Sequence, residues 1–250
     1  MIIRKMMLLM SALLCMVWVF AQEESKKETL FVIEGHFFKE IPVSRQQVSH
    51  LYILKSASGT TAMGIRLHDP LPDKALKYAI PANQIAESDQ LLKQFKEKQL
   101  NAKGAAIQVS AQPLLKVGSL FPAFTATDIT GKSWSQADVK GKVMVLNLWF
   151  TGCKPCRAEM PELSAWKNEM PDVMFFSSTF EDAATARPVL EQQQFNWIPL
   201  VNDNQFKAYV GNNGYPVTIV IDKQGCVAKV EYGTSPVQRE ELKEKIQSLR

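Results

Sequence analysis

Val143-Met144-Val145-Leu146-Asn147-Leu148-Trp149-Phe150-Thr151-Gly152-Cys153-Lys154-Pro155-Cys156-Arg157-Ala158-Glu159-Met160-Pro161 decides how the rest of the chain is read. Its first eight residues form an almost unbroken apolar run, as expected of a strand buried on both faces. A Cys-x-Pro-Cys tetrapeptide follows, and a helix-compatible stretch follows that. The spacing predicts a thiol pair on the first turn of a helix, at the end of a buried strand. A helix N-terminus carries unpaired N–H groups and roughly half a positive charge, so it favours thiolate over thiol. Pro155 suits that turn, where its missing N–H costs nothing. Two cysteines three apart can close a disulfide with little chain entropy to lose, which makes the pair a candidate for reversible oxidation.

Around this stretch, strands alternate with helices. Residues 124–128 and 132–134 read as short strands around Thr130-Gly131, and Ser135 as the cap of a helical turn ending by Gly141. A helix is predicted from Cys153 to about Glu169, kinked at Pro161. Strands are predicted at 172–179, 198–201, 215–222 and 226–232, with helices at 182–195, 204–210 and, capped by Ser235, 237–249. This order predicts an α/β fold, a mixed sheet with helices on both faces.

The first part of the chain reads differently. Strands are predicted at 29–33, 49–54 and 60–67, a turn at Pro70 and Pro72, and one more short strand at 77–80. A helix over 89–100 has Ser88 as its cap and Gly104 as its stop. The three histidines, His36, His50 and His68, are far apart and lack metal-ligand spacing. They read as surface or strand residues. Pro113 to Phe121 opens a second domain. The expected division is a leader at 1–21, a strand-rich accessory domain of unassigned role at 22–112, and the cysteine-bearing domain at 113–250.

A hydrophobic content of 46% with 22% charged residues is that of a globular protein able to bury a full core. The net charge of +4 falls to +2 if Arg4 and Lys5 leave with the leader, and basic residues nowhere form a block, so nucleic acid is not expected as a partner. Arg4 and Lys5 precede an apolar run from Met6 to Ala21, and Val19-Phe20-Ala21 offers a cleavage site before Gln22. An uncleaved anchor is the alternative, with membrane contact through this segment only, although the run is short for a spanning helix. Cys15 as a lipidation site is disfavoured by the bulky Leu14. Export would place the cysteine pair in an oxidising compartment.

The second half resembles the exported TlpA/ResA-like thiol-disulfide oxidoreductases of the thioredoxin superfamily. The resemblance covers about residues 115–249. It rests on Gly118 to Phe124, Gly131-Lys132, Gly141-Lys142, the strand into Cys153-Lys154-Pro155-Cys156, Arg157, Glu159 and Pro161, and finally Tyr215-Pro216. It implies a thioredoxin fold with Cys153 as the exposed nucleophile and Cys156 as the buried thiol that resolves the mixed disulfide. The competing readings are a static disulfide and half of a zinc site. Zinc would need four ligands, and the second domain offers only Cys226 besides the pair, so no metal or other cofactor is expected. Pro216 matches a cis-proline facing the disulfide, with Tyr215 pairing its backbone to a substrate strand; an ordinary trans proline is the alternative.

Glu159, three residues after Cys156, lies on the same side of the helix. The resemblance implies that it handles protons for the thiols, and a solvated helix glutamate is the plain alternative. Asn147 stands where many thioredoxins bury an aspartate. Gly152 departs from relatives that carry tryptophan before the first cysteine, which leaves Cys153 less covered. Lys154 either favours the thiolate or is simply solvated. Trp149 reads as core, and Cys226 as a buried inert thiol rather than a third redox group. A peroxiredoxin is rejected because Phe150, not threonine, stands three residues before Cys153.

The expected function is therefore that of an exported, periplasmic thiol-disulfide oxidoreductase. It would reduce disulfides of exported proteins, possible clients including apocytochrome c, and would draw electrons from a membrane or periplasmic thiol donor. A disulfide-forming oxidase and a non-catalytic scaffold stand as alternatives.

Overall fold

The structure is a computed structural model and describes residues 29–101, 105–106 and 115–250. The predicted leader with Cys15, the stop at Gly104 and the domain start at Pro113 lie outside the described residues. Two sheets are present, one on either side of residue 112.

The first sheet has the order β2-β1-β4-β3-β5. Its strands are β1 (Leu30–Ile33), β2 (His36–Phe38), β3 (Val48–Lys55), β4 (Thr61–Leu67) and β5 (Ala105–Ala106). β1 runs parallel to β4, and its other pairings are antiparallel. Helix α2 (Ser88–Leu100) inserts Leu91 and Phe95 against Val32, Phe37, Tyr52, Leu54 and Ala62. The opposite face gathers Ile33, Phe38, Val43, Val48, Ile65 and Leu67. Period-2 alternation thus supplies one core to each face.

Three expectations fail here. β2 was not foreseen, although Glu34 and Gly35 both have positive φ (48° and 86°), the backbone of a two-residue hairpin turn. Residues 77–80 are not a strand. Pro72 starts a one-turn helix, α1 (Asp73–Leu76), whose carbonyls capture the Tyr78 and Ala79 N–H groups, and only Ile80 reaches the sheet, donating to Phe37 O at 2.7 Å. Ser88 lies inside its helix, and Glu87 holds the cap position with φ 54° and no side-chain cap bond.

The second sheet has the order β12-β11-β8-β9-β10-β6-β7. Its strands are β6 (Thr125–Asp128), β7 (Ser133–Ser135), β8 (Met144–Leu148), β9 (Met174–Ser178), β10 (Ile198–Val201), β11 (Val217–Ile221) and β12 (Val227–Tyr232). β8, β9 and β10 are parallel. They are linked by α3 (Lys154–Glu169) and α4 (Ala183–Gln192), and α5 (Pro236–Leu249) follows β12. The two crossovers move in the same direction across the sheet. Since such connections are right-handed, both helices fall on one face. Met160, Leu163 and Trp166 of α3, Ala186 and Leu190 of α4, and Leu242 and Ile246 of α5 all join one core cluster with Val143, Val145 and Trp149. The α-helices thus lie on one face, and the short helix predicted at 204–210 lies on the other as a 3₁₀ helix. The second face, with Met144, Leu146 and Leu148, is covered by a 3₁₀ turn at Phe206–Tyr209 and by Phe121 and Phe124.

Among the described residues, no helix is long and apolar enough to cross a membrane.

Candidate active site

β8 delivers the redox loop. After Leu148, the Trp149 N–H still donates to Ser178 O at 3.0 Å, so the loop leaves the sheet beside the end of β9. Glu181, just beyond β9, then fastens it. The Thr151 N–H donates to Glu181 Oε2 and the Thr151 hydroxyl to Oε1, both at 2.7 Å. Cys153 caps α3: its Sγ accepts from the Cys156 N–H at 3.2 Å, and Pro155 occupies the first turn. Pro161 sits within α3 without ending it.

Cys153 and Cys156 form a disulfide, with Cα atoms 5.3 Å apart. Cys153 is 5% exposed and Cys156 fully covered. The two sulfurs are therefore unequal in the expected order, but Cys153 is far less open than the resemblance implied. Phe150 and Tyr215 pack against the cluster that contains both cysteines, and their ring centroids are 5.1 Å apart. Phe180 stands 6.2 Å from Phe150 and 6.4 Å from Tyr215. Lys207 Nζ lies 4.3 Å over the Phe180 ring. Gly152 now has a local explanation: a Cβ there would come within 2.7 Å of the Phe150 ring. Any larger residue at 152 would require that ring to move.

Tyr215–Pro216 is a cis peptide bond. The antiparallel register pairs Val217 with Leu148, so continuing it carries Tyr215 to the level of Phe150. Burial, with Asp203 and Glu181 nearby, pushes the Tyr215 hydroxyl up from its ordinary value of 10.0.

Glu159 is not a solvated helix residue. It is 4% exposed. Asn147 Nδ2 donates to Glu159 Oε1 at 2.9 Å and lies 3.1 Å from Thr218 Oγ1, which joins β8, α3 and β11 through one amide. Among the described residues, Asn147 Oδ1 has no hydrogen-bond partner. Burial is the main cause that pushes the Glu159 carboxyl up from 4.5 to about 7; the nearby Thr234 hydroxyl, the Asn147 hydrogen bond and the charge of Arg239 oppose it. The site therefore holds a carboxyl that can give or take a proton near neutrality, on the helix that carries the thiols.

The remaining residues are less central. Lys154 is exposed. Trp149 is fully buried in the core that holds the cysteines, and its Nε1 has no hydrogen-bond partner among the described residues. Cys226 is half-buried rather than buried, because Asp222 Oδ1 holds the Cys226 N–H at 2.8 Å in the turn before β12. Sequence reasoning missed Glu181, Thr218 and Thr234. Each lies on a segment remote in sequence from the cysteines, and no spacing pattern links it to them.

Comparison with known proteins agrees with this geometry. The Redoxin family model matches residues 116–246. The chain is 33% identical over 144 residues to the thiol-disulfide oxidoreductase ResA of Geobacillus thermodenitrificans, covering 54% of this chain and 78% of that one. It is 30% identical over 153 residues to the thiol:disulfide interchange protein DsbE of Pseudomonas aeruginosa, covering 59% and 84%. A solved Chlorobium tepidum structure, described as a thiol:disulfide interchange protein DsbE, superposes with a TM-score of 0.50 at 23% identity. It covers 54% of this chain and 98% of its own, and supports the fold alone.

Proposed function

The chain belongs to the Redoxin family, as a thiol-disulfide oxidoreductase with a thioredoxin fold, and from that premise we propose that it reduces disulfides of exported proteins through Cys153 and Cys156. The observation that carries this reading is the disulfide at the N-terminus of α3, with the cis Tyr215–Pro216 peptide leading into β11, the strand paired with β8. In the reduced enzyme the Cys153 thiolate attacks one sulfur of a substrate disulfide. A mixed disulfide forms, and the other substrate sulfur leaves as a thiolate that takes up a proton. Cys156, deprotonated, then attacks Cys153 Sγ. The mixed bond breaks, the second substrate thiol is released, and the Cys153–Cys156 disulfide is restored. Two electrons have passed to the substrate, and an external dithiol donor returns them.

Glu159 suits the proton traffic. A carboxyl that titrates near neutrality can accept the proton of Cys156 as that thiol becomes a nucleophile. Tyr215 would offer its backbone to the substrate strand, with the rings of Phe150 and Phe180 beside it. Export to the periplasm is part of the proposal and rests on the apolar leader and on the kinship to ResA and DsbE.

The test is covalent trapping. Cys156→Ser should accumulate a mixed disulfide through Cys153 with an exported protein, whereas Cys153→Ser should accumulate none. The wild type should speed insulin precipitation by a dithiol. Absence of both adduct and acceleration overturns the assignment.

A further inference from the structure

Between Phe150 and Cys153 the chain makes a tight turn, closed by the Cys153 N–H donating to Phe150 O at 3.0 Å. Thr151 and Gly152 are its two central residues. Such a turn leaves the N–H of its first central residue unused. Glu181 takes it. The Thr151 N–H donates to Glu181 Oε2 and the Thr151 hydroxyl to Oε1, each at 2.7 Å, so both carboxylate oxygens grip one residue. The Thr179 hydroxyl donates to Oε2 at 3.2 Å and accepts from the Glu181 N–H at the same distance. The backbone behind the side chain is fixed as well. The Asn202 N–H donates to Glu181 O at 2.9 Å, and the Asp203 N–H to Thr179 O at 3.1 Å. Glu181 is therefore a short strut between the segment after β10 and the turn that presents Cys153. Its bonds are charge-assisted, the stronger kind.

We propose that Glu181 is a positioning residue for Cys153, whose carboxylate holds the Thr151–Gly152 turn in the geometry that the Cys153–Cys156 disulfide requires, in the reduced protein as in the oxidised one. This rests on the reading of Cys153 and Cys156 as the redox pair. In the oxidised protein the disulfide itself constrains the turn, because it ties Cys153 to the first turn of α3. Reduction removes that constraint, and the strut keeps Cys153 beside Cys156. A dithiol already held in place has little freedom left to lose when it closes, so its disulfide is favoured. Without the strut, the reduced turn gains freedom that oxidation must take away again. Loss of Glu181 should therefore weaken the disulfide relative to the dithiol. It should also slow the second step of the reaction, in which Cys156 attacks Cys153 Sγ.

The experiment is the equilibrium of the full-length protein with glutathione. Two glutathione thiols reduce the Cys153–Cys156 disulfide and leave as one glutathione disulfide, so two electrons and two protons pass to the protein. Glu181→Ala should lower the equilibrium constant for forming the protein disulfide by about tenfold, the scale of hydrogen bonds to a charged group. Thr151→Val keeps the N–H and loses the hydroxyl, and should lower it by about threefold. Thr151→Ser keeps both donors and should match the wild type. Once Glu181 is alanine, Thr151→Val should lower it no further, because the two residues act through one contact.

Asp182→Ala is the control. Asp182 caps α4, its Oδ1 accepting the Thr185 N–H at 2.8 Å, so its loss should lower the thermal midpoint and leave the glutathione equilibrium unmoved. Glutathione is not an exported protein, so the measurement does not depend on the proposed clients. A shifted equilibrium in a protein that traps no exported client keeps the strut and sinks the client class. Wild-type equilibria in folded Glu181→Ala and Thr151→Val proteins overturn the strut, whatever is trapped. An equal shift in Asp182→Ala overturns it too, since the effect would then be one of general stability.

Discussion

The two sheets are assembled alike and differ in what they bury. Each is mixed, each is covered by at least one α-helix, and each has an apolar cluster on either face. In the first, the buried polar residues among those described are Ser49 and Ser56. Ser49 answers to backbone carbonyls of β4, at 3.0 and 3.1 Å. The second also buries carboxyl and amide groups, among them Asp128, Asn147, Glu159, Asp203 and Gln238. Two of its carboxylates show the range. Asp128 is buried, but Thr130, Trp134 and Lys132 all donate to it, and these bonds overcome desolvation to hold it below 3.8. Glu159 receives fewer donors and is pushed up to about 7. The first pattern is what a turn needs. The second places a labile proton on the sheet that carries the thiols.

The strongest way to break this contrast is through the thiols. Cys153→Ser should lower insulin reduction to the uncatalysed rate of the dithiol, leaving both sheets folded by circular dichroism. A folded Cys153→Ser protein that still catalyses would show that the chemistry lies elsewhere. Next in size is a core deletion in the first sheet. Phe37 is almost fully buried and packs with Tyr52 and Phe95. Phe37→Ala should cost about 3–5 kcal/mol, as large-to-small aromatic changes do. Denaturant unfolding would measure it. The pH profile of Cys153 alkylation should be unchanged, and a moved profile would mean that the first sheet shapes the redox site after all.

What could be read in advance follows the same division. β8 betrayed itself because both its faces are buried, so its residues are apolar without alternation. The Cys-x-Pro-Cys at its end then located the helix N-terminus. Ser235 was readable as a cap because its hydroxyl does accept the Gln238 N–H, at 3.2 Å. The first sheet was less legible. β2 is three residues long, and 77–80 had a strand's composition but lost its N–H groups to a one-turn helix. Glu159 was the hardest. A glutamate on a helix looks solvated, and the buried setting that holds it, with the Asn147 amide against its carboxyl, is assembled only by the tertiary fold. The Phe180 ring beside Phe150 and Tyr215 and the Glu181 tether were hidden for the same reason.

The third prediction concerns the pH dependence of stability. The folded Glu159 carboxyl titrates at about 7 against an ordinary 4.5, so between these values the folded state binds more protons than the unfolded. Stability must then fall as pH rises through that window, by about 3 kcal/mol if the full difference is realised. Glu159→Gln has no proton to lose and should remove this slope, gaining on the wild type above pH 7. Denaturant midpoints at pH 5 and pH 8 measure it. Parallel loss of stability in both proteins would mean that Glu159 is better solvated than its burial indicates. The same variant should form the Cys153 thiolate at lower pH, since a neighbouring negative charge is gone.

The smallest expected effect lies where the two sheets' units touch. Lys74 pairs with Glu244 at 2.8 Å, Lys77 with Glu240, and the Tyr78 hydroxyl lies 3.5 Å from Pro236 O, all on α5. The Lys74 and Glu244 side chains are about half exposed, at 46% and 55%. Exposed pairs gain little because water already solvates both charges, and salt screens them within about 8 Å at physiological ionic strength. Lys74→Ala with Lys77→Ala should therefore leave the thermal midpoint in physiological salt unchanged within error. At low salt screening weakens, and a small downward shift should become visible in the first sheet's unfolding. A large loss at physiological salt would show that these lysines bind the units together, and the picture of two cores meeting through a solvated seam would have to be abandoned.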